Sequence, residues 1–233
     1  MCKFRAATMR WPQRGQRGET VTGGMGRRSG FLLAIEGIDG GGKSTLALAL
    51  ATHFRARSLA VVLTREPTDG PHGMRIRAAG AEGRLPADEE RRLFVLDRRQ
   101  HVREVIGPAL RAGHMVISDR YYFSSMAYQG SRGFAVADLR AENEAFAPVP
   151  QALIVIDLEV ELALSRILAR RGQADAFERA ETLAAVREVF LSSAQDHPAA
   201  LVLDGAAPPE RLVRESLRWL EGLPCLARYV RLP

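Results

Sequence analysis

The chain has 233 residues, 46% of them hydrophobic, a formal net charge of +6 and two cysteines. That length suffices for one α/β domain with a sizeable core, and no apolar run reaches transmembrane length, so no membrane partner is expected. Cys2 and Cys225 stand near opposite ends of the chain without disulfide or metal-ligand spacing, which points to a reducing, cytoplasmic setting. The charge is unevenly placed: residues 1–30 carry seven of the 33 basic residues and one of the 27 acidic ones, leaving the remainder balanced at 26 of each. A nucleic-acid-binding face on the folded part is therefore not indicated.

Residues 1–29 are rich in Gly, Arg and Thr and lack hydrophobic periodicity, so they are expected to be a disordered basic extension. They hold no long apolar stretch of the kind a secretory signal needs. Their Arg-rich, acid-poor composition is also that of an organelle transit peptide. A non-functional extension, with Met25 as an equally good start, is the favoured reading.

From residue 31 the chain alternates. Phe31-Leu32-Leu33-Ala34-Ile35 predicts a buried strand (31–36), and the apolar stretch after Lys43 predicts a helix (43–57). Between them lies Gly37-Ile38-Asp39-Gly40-Gly41-Gly42-Lys43-Ser44, a Gly-x-x-x-x-Gly-Lys-Ser loop in strand–loop–helix context. Glycines there let successive N–H groups turn onto phosphate oxygens, and the helix N-terminus adds its positive end. Lys43 supplies an ammonium for the β- and γ-phosphates, and Ser44 a hydroxyl for Mg²⁺. Asp39 leaves two readings open: a turn-stabilising Asx residue, or a contact to the hydroxyl of a second substrate.

Residues 60–64 predict a second strand, Arg65–Pro71 a loop, 72–80 a short helix and 87–112 a long one, opened by Pro86 and Asp88 and closed by Gly113. His114–Asp119 predicts a buried strand ending in an acid, followed by a polar and aromatic segment, 120–130. Further helices are expected at 137–146, 159–170, 178–195 and 208–221, with strands at 152–157 and 200–204. Strands alternating with helices imply α/β architecture, a five-stranded parallel sheet flanked by helices in three layers. The folded part is expected to be a single unit, 30–222, followed by a tail at 223–233.

Three strands end in Asp. Asp119, followed at once by Arg120 and the polar segment, is the candidate to order a Mg²⁺ shell; Asp157 and Asp204 precede helices, where a structural role is favoured. Arg65, Arg77, Arg98, Arg120, Arg166, Arg170 and Arg171 all lie in or near segments leaving the sheet edge. Arg170-Arg171 before a Gly-containing loop suggests a short lid whose arginines meet charge on a transferring phosphoryl group.

Taken in order, five segments resemble the thymidylate kinase family: Glu36–Thr45, Thr64-Arg65-Glu66-Pro67, Phe94-Val95-Leu96-Asp97-Arg98, Asp119-Arg120-Tyr121 with Ser124–Gly130, and the lid end Asp175-Ala176-Phe177-Glu178. The resemblance spans 31–221. It implies a P-loop NTPase-type fold, ATP and dTMP as substrates, Mg²⁺ and a homodimer. It implies that Gly37, Gly40, Gly41, Gly42, Lys43, Ser44 and Thr45 hold ATP phosphates, with Arg166 beside the adenine. It implies further that Phe94 stacks on thymine, Arg98 hydrogen-bonds the base, Arg120 holds the dTMP phosphate, Asp39 meets the 3′-hydroxyl and Tyr128 presses on the deoxyribose. Glu66, Ser125 and Gln129 would lie near the nucleoside, and Ser44 and Asp119 at the metal. The chain departs from the family at Gly40, where some members carry Arg, at Thr68-Asp69-Gly70, and at Ala176, where a basic residue is common. The missing Arg at Gly40 points to Arg170 or Arg171. Two rivals stand beside ATP:dTMP phosphotransfer: a kinase of another nucleoside monophosphate or small acceptor, and a P-loop regulator without transfer activity.

Overall fold

The apolar runs become five strands because both faces of the sheet are covered. The structure, a computed structural model, describes residues 30–82, 85–171 and 176–230; the expected basic extension at 1–29 lies outside them. The strands are β1 (Phe31–Gly37), β2 (Val61–Arg65), β3 (Met115–Asp119), β4 (Ala152–Asp157) and β5 (Ala200–Asp204), all parallel, in the order β2-β3-β1-β4-β5. Side chains alternate between two cores. Leu32, Ala34, Val116, Leu153 and Val155 enter one; Phe31, Leu33, Ile35, Met115, Ile117, Ile154 and Ile156 enter the other. A parallel sheet buried on both faces reads as continuous apolar runs rather than as alternation, which is the pattern in the sequence.

The helices are α1 (Lys43–Ala56), α2 (Pro71–Glu82), α3 (Ala87–His101), α4 (Gly107–Arg111), α5 (Tyr122–Gly130), α6 (Val136–Glu144), α7 (Val160–Arg171), α8 (Ala176–Asp196), α9 (Pro209–Glu221) and α10 (Pro224–Val230). Three features differ from the sequence reading. The helix expected at 87–112 is interrupted by a π-helical turn, Val102–Ile106, in which the Gly107 N–H bonds the Val102 carbonyl. Pro108 follows and has no N–H for an α-helical bond to Glu104, so the extra residue absorbs the break. The polar segment after Arg120 is a helix, α5. The stretch read as a tail contains α10, whose Leu226 and Tyr229 are buried in the second core.

β1 sits between β3 and β4: the chain first winds outward from it to β2 and β3 on one side, then crosses to β4 and β5 on the other. In such a sheet the crevice outside the carboxyl ends of β1 and β3 is where a ligand is received. The register sets Ile35 beside Asp119 and Gly37 beside Ile156 at that edge.

Candidate active site

The loop after β1 turns tightly at its glycines. Gly37 has φ +135°, and a Cβ there would lie 2.3 Å from the Ile156 carbonyl oxygen, so backbone geometry and space both demand glycine. Gly42 caps α1 in a left-handed conformation with no side-chain cap, which leaves the first N–H groups of α1 facing the loop. The Lys43 ammonium donates to the Ile38 carbonyl at 2.8 Å, folding the chain back over the loop, and is buried. Burial, reinforced by Arg120, lowers the Lys43 pKa to about 8, although Asp39, Asp119 and Glu36 pull it upward. Ser44, one residue on, donates its hydroxyl to Asp119 Oδ2.

The second Asp119 oxygen, Oδ1, is buried and has no hydrogen-bond partner. A buried carboxylate oxygen left unpaired beside a P-loop serine hydroxyl is the donor set a hard divalent cation takes. The other two strand-end acids are engaged elsewhere. Asp157 receives Arg187 Nε at 2.5 Å and Nη2 at 2.9 Å, and Asp204 accepts the Ala206 N–H at 2.9 Å in an Asx turn.

Arg166, on α7, donates to the Gly40 carbonyl at 3.2 Å and the Gly205 carbonyl at 2.9 Å, tying the glycine loop to the turn after β5. A cavity of about 220 Å³ opens there, with Thr45, Leu46, Ala207 and Pro209 on its walls. Arg170 and Arg171 are the last residues of α7; their side chains and the lid segment 172–175 lie outside what the structure describes.

The opposite wall begins at Arg120, which has φ 71°, a left-handed conformation costing a non-glycine residue roughly 1–2 kcal/mol. The Arg120 N–H bonds the Ile35 carbonyl at 2.9 Å, and the Ser118 hydroxyl holds the Arg120 carbonyl at 2.6 Å, so the turn is fixed on both sides. The guanidinium meets Asp39, takes Ser124 Oγ at 3.0 Å, and stands over the Tyr128 ring at 5.4 Å. Asp39 therefore faces Arg120 across the loop.

Ser124 also donates to Glu36 Oε2 at 2.6 Å, while Glu36 Oε1 accepts the Tyr121 N–H at 2.7 Å and the Ser124 N–H at 3.2 Å. Glu36 is fully buried, and burial pushes its pKa up to about 7 against the pull of Ser124, Arg120 and Tyr121. It is the N-terminal cap of α5, a role the sequence reading did not give it. An acid interrupting an otherwise apolar strand was the available signal.

Deeper along α5 the wall is polar and closed. Arg98 is 1% exposed. It bonds Glu66 through Nε at 2.8 Å, Asn143 Oδ1 through Nη1, and Ser125 Oγ through Nη2 at 3.0 Å. Both Glu66 oxygens are used, the other by His101 at 2.9 Å. Burial raises the Glu66 pKa, but Arg98 and the His101 hydrogen bond outweigh it and hold the carboxyl below its usual value. Phe94, one turn before Arg98, is only half-buried, unlike its neighbour Leu93. Gln129 is 1% exposed, and neither its Nε2 nor its Oε1 has a hydrogen-bond partner. Such an amide costs about 1–3 kcal/mol per group unless a ligand pairs it.

The structure thus gathers two clusters at one sheet edge. One holds the glycine loop, Lys43, Ser44, Asp119 and Arg166. The other holds Asp39, Arg120, Tyr128, Ser125, Gln129, Arg98 and Glu66. Arg77 is not among them, and Arg65 only borders the first, lining a cavity with Ser44 and Asp119; both arginines pair with exposed Asp69 at 2.8 Å, and Arg77 also holds the Pro67 carbonyl at 2.7 Å. Besides Glu36, the sequence reading missed Asn143 and His101; each is buried on a helix, where nothing local separates it from core.

This sheet order, with a Gly-Lys-Ser loop after β1 and an acid ending the adjacent strand, defines a P-loop NTPase-type fold. The thymidylate kinase family model matches residues 35–216. Thymidylate kinase from Akkermansia muciniphila is 49% identical over 167 residues, 72% of this chain and 81% of that one. Thymidylate kinase from Xanthomonas euvesicatoria pv. vesicatoria is 44% identical over 187 residues, 80% and 81% of the two chains. The crystal structure of Ehrlichia chaffeensis thymidylate kinase aligns with TM-score 0.68 at 25% identity, covering 82% of this chain and 99% of that one. The chain belongs to the thymidylate kinase family.

Proposed function

We propose that the chain transfers the γ-phosphoryl group of ATP to dTMP, giving ADP and dTDP for dTTP synthesis. The observation that carries this reading is the pairing of the two clusters. Asp39 on the phosphate-holding loop meets Arg120, and α5 carries Ser125, which takes Arg98, one turn before Gln129, whose buried amide has no hydrogen-bond partner; these groups suit a pyrimidine base with carbonyl and N–H edges.

In this reading the loop N–H groups and Lys43 hold the donor phosphates, and Arg166 flanks the adenine. Ser44 and Asp119 would hold Mg²⁺, which neutralises charge on the donor phosphates when bound. Arg120 takes the acceptor phosphate and Asp39 the 3′-hydroxyl. Tyr128 packs on the deoxyribose. Phe94 stacks on the base, with Ser125, Gln129 and Arg98 along its edge. The acceptor phosphate oxygen is already anionic at neutral pH, so no protein base is needed. The chain contributes positioning and electrostatic stabilisation. Arg170 or Arg171 supplies the charge that Gly40 does not. A homodimer through the long α3–α4 helix and a cytoplasmic setting belong to the same proposal.

The test is a coupled ADP-release assay across nucleoside monophosphates with ATP and Mg²⁺. Turnover should be fastest with dTMP; turnover with another acceptor and none with dTMP would refute the substrate assignment. Arg98→Ala should weaken dTMP binding far more than ATP binding. Sedimentation at micromolar protein tests the dimer.

A further inference from the structure

His101 lies beside the base wall and has no part in the reading above. It is 2% exposed, one turn after Arg98 on the same helix. Its Nδ1 is 2.9 Å from Glu66 Oε1, and its Nε2 is 2.6 Å from Thr64 Oγ1 on β2. Arg98 Nε and Nη2 both lie on the other Glu66 oxygen, Oε2, at 2.8 and 2.7 Å. One carboxylate is therefore gripped at its two oxygens by residues three apart on one helix face.

The geometry of that grip is informative. A guanidinium and a carboxylate left alone favour the two-oxygen fork, with one N–H on each oxygen. Here the fork falls on Oε2, and Oε1 is turned to His101. Glu66 is held ionised and can only accept, so Nδ1 carries the hydrogen of that bond. Thr64 fixes the other ring nitrogen and thus the ring plane. Without His101, Oε1 is free to swing onto the guanidinium. Arg98 would then rotate away from Ser125 and Asn143, the two groups that hold its outer nitrogens.

We propose that His101 is a positioning residue for the acceptor base: through Glu66 it sets the orientation in which Arg98 meets the nucleotide. The π turn begins at the next residue, so His101 closes the regular part of α3 where its ring reaches both β2 and the loop after it. The inference rests on the assignment of Arg98 to the acceptor base. Arg98→Ala tests that assignment by itself.

The experiment uses the full chain and steady-state kinetics with dTMP and ATP varied separately. His101→Leu removes both bonds. His101→Asn keeps a short N–H donor toward Glu66. The expected result for His101→Leu is a rise of about tenfold in KM for dTMP, with KM for ATP within about twofold and kcat within about threefold. His101→Asn should recover most of the loss. In an Arg98→Ala background His101→Leu should add nothing, since the two act as one unit. A kcat loss with both KM values unchanged, or an effect that adds fully to Arg98→Ala, overturns the proposal. If His101→Leu does not fold, Thr64→Val decides: a selective rise in dTMP KM supports the proposal, and none overturns it. If Arg98→Ala spares dTMP, the base-site reading falls. If it weakens dTMP while a folded His101→Leu does not, His101 alone falls.

Discussion

Glu36 Oε2 accepts the hydroxyl of Ser124, and that same hydroxyl takes a guanidinium hydrogen from Arg120. A buried acid in the strand that leads to the glycine loop thus holds, through one serine, the arginine assigned to the acceptor phosphate. Glu36 has a pKa raised from 4.5 to about 7. Between those values the folded chain binds more protons than the unfolded one, so this group's contribution to stability falls as pH rises through that window and levels off above it. Glu36→Gln removes the dependence. Urea unfolding at pH 5 and pH 8 should show the variant gaining on the wild type by on the order of 1–3 kcal/mol at the higher pH. Parallel curves for the two proteins would contradict this. The same variant should lose turnover, because Arg120 is then held less firmly.

Lys43 gives a prediction of opposite sign. Burial first, and Arg120 second, lower its pKa from 10.5 to about 8. Bound phosphates restore the charged form, so ATP binding above pH 8 should take up protons. Calorimetry at pH 8.5 in two buffers of different ionisation enthalpy measures that uptake. Lys43→Met should abolish it and weaken ATP by about 2–4 kcal/mol, the range for losing one partner of a close charge contact. In the unliganded chain this group favours the folded state increasingly as pH rises from about 8 to 10.5, where the unfolded state binds more protons.

Gln129→Met separates stability from function. The substitution keeps the length of the side chain and removes two buried polar atoms that have no partner. Replacing such groups with apolar ones is neutral or stabilising, so the unliganded variant should melt at the same temperature or up to a few degrees higher. Its KM for dTMP should rise roughly tenfold or more, since a ligand edge is left unpaired. A clear loss of stability would show that the Gln129 amide already serves the unliganded fold.

Gly73 is constrained by a loop rather than by a motif. A Cβ there would lie 2.1 Å from the Thr68 carbonyl oxygen, and Thr68 cannot retreat. Its N–H and hydroxyl are held by buried Asp97 at 2.8 and 2.5 Å. Gly73→Ala should therefore cost about 2–4 kcal/mol in chemical denaturation. It should also raise KM for dTMP, because the loop carries Glu66. A variant as stable as the wild type would mean that the Asp97 latch yields.

Much of this molecule was legible in the sequence because its signals are local. The five apolar runs, the glycine loop and Asp119 each carry their meaning within a few residues. What stayed hidden depends on partners distant in the chain. The segment after Arg120 was not read as a helix because Tyr121 at its start supplies no cap; the cap is Glu36, 85 residues earlier. The long helix looked continuous because periodicity does not reveal that Pro108 forces one extra residue into the preceding turn. His101 and Asn143 looked like ordinary helix residues, and only the folded arrangement brings both to Arg98 and its Glu66 partner.

The single residue step from Glu36 to Gly37 carries a consequence for recombination among relatives. One peptide unit joins the anchor of the acceptor helix to the first hinge of the donor loop. Exchanging only residues 30–44 between two homologues therefore transplants half of a joint. A hybrid that alters Glu36 without α5, or α5 without Glu36, separates the acid from the N–H groups and hydroxyl it holds, although a crossover just after the glycine loop leaves both segments intact.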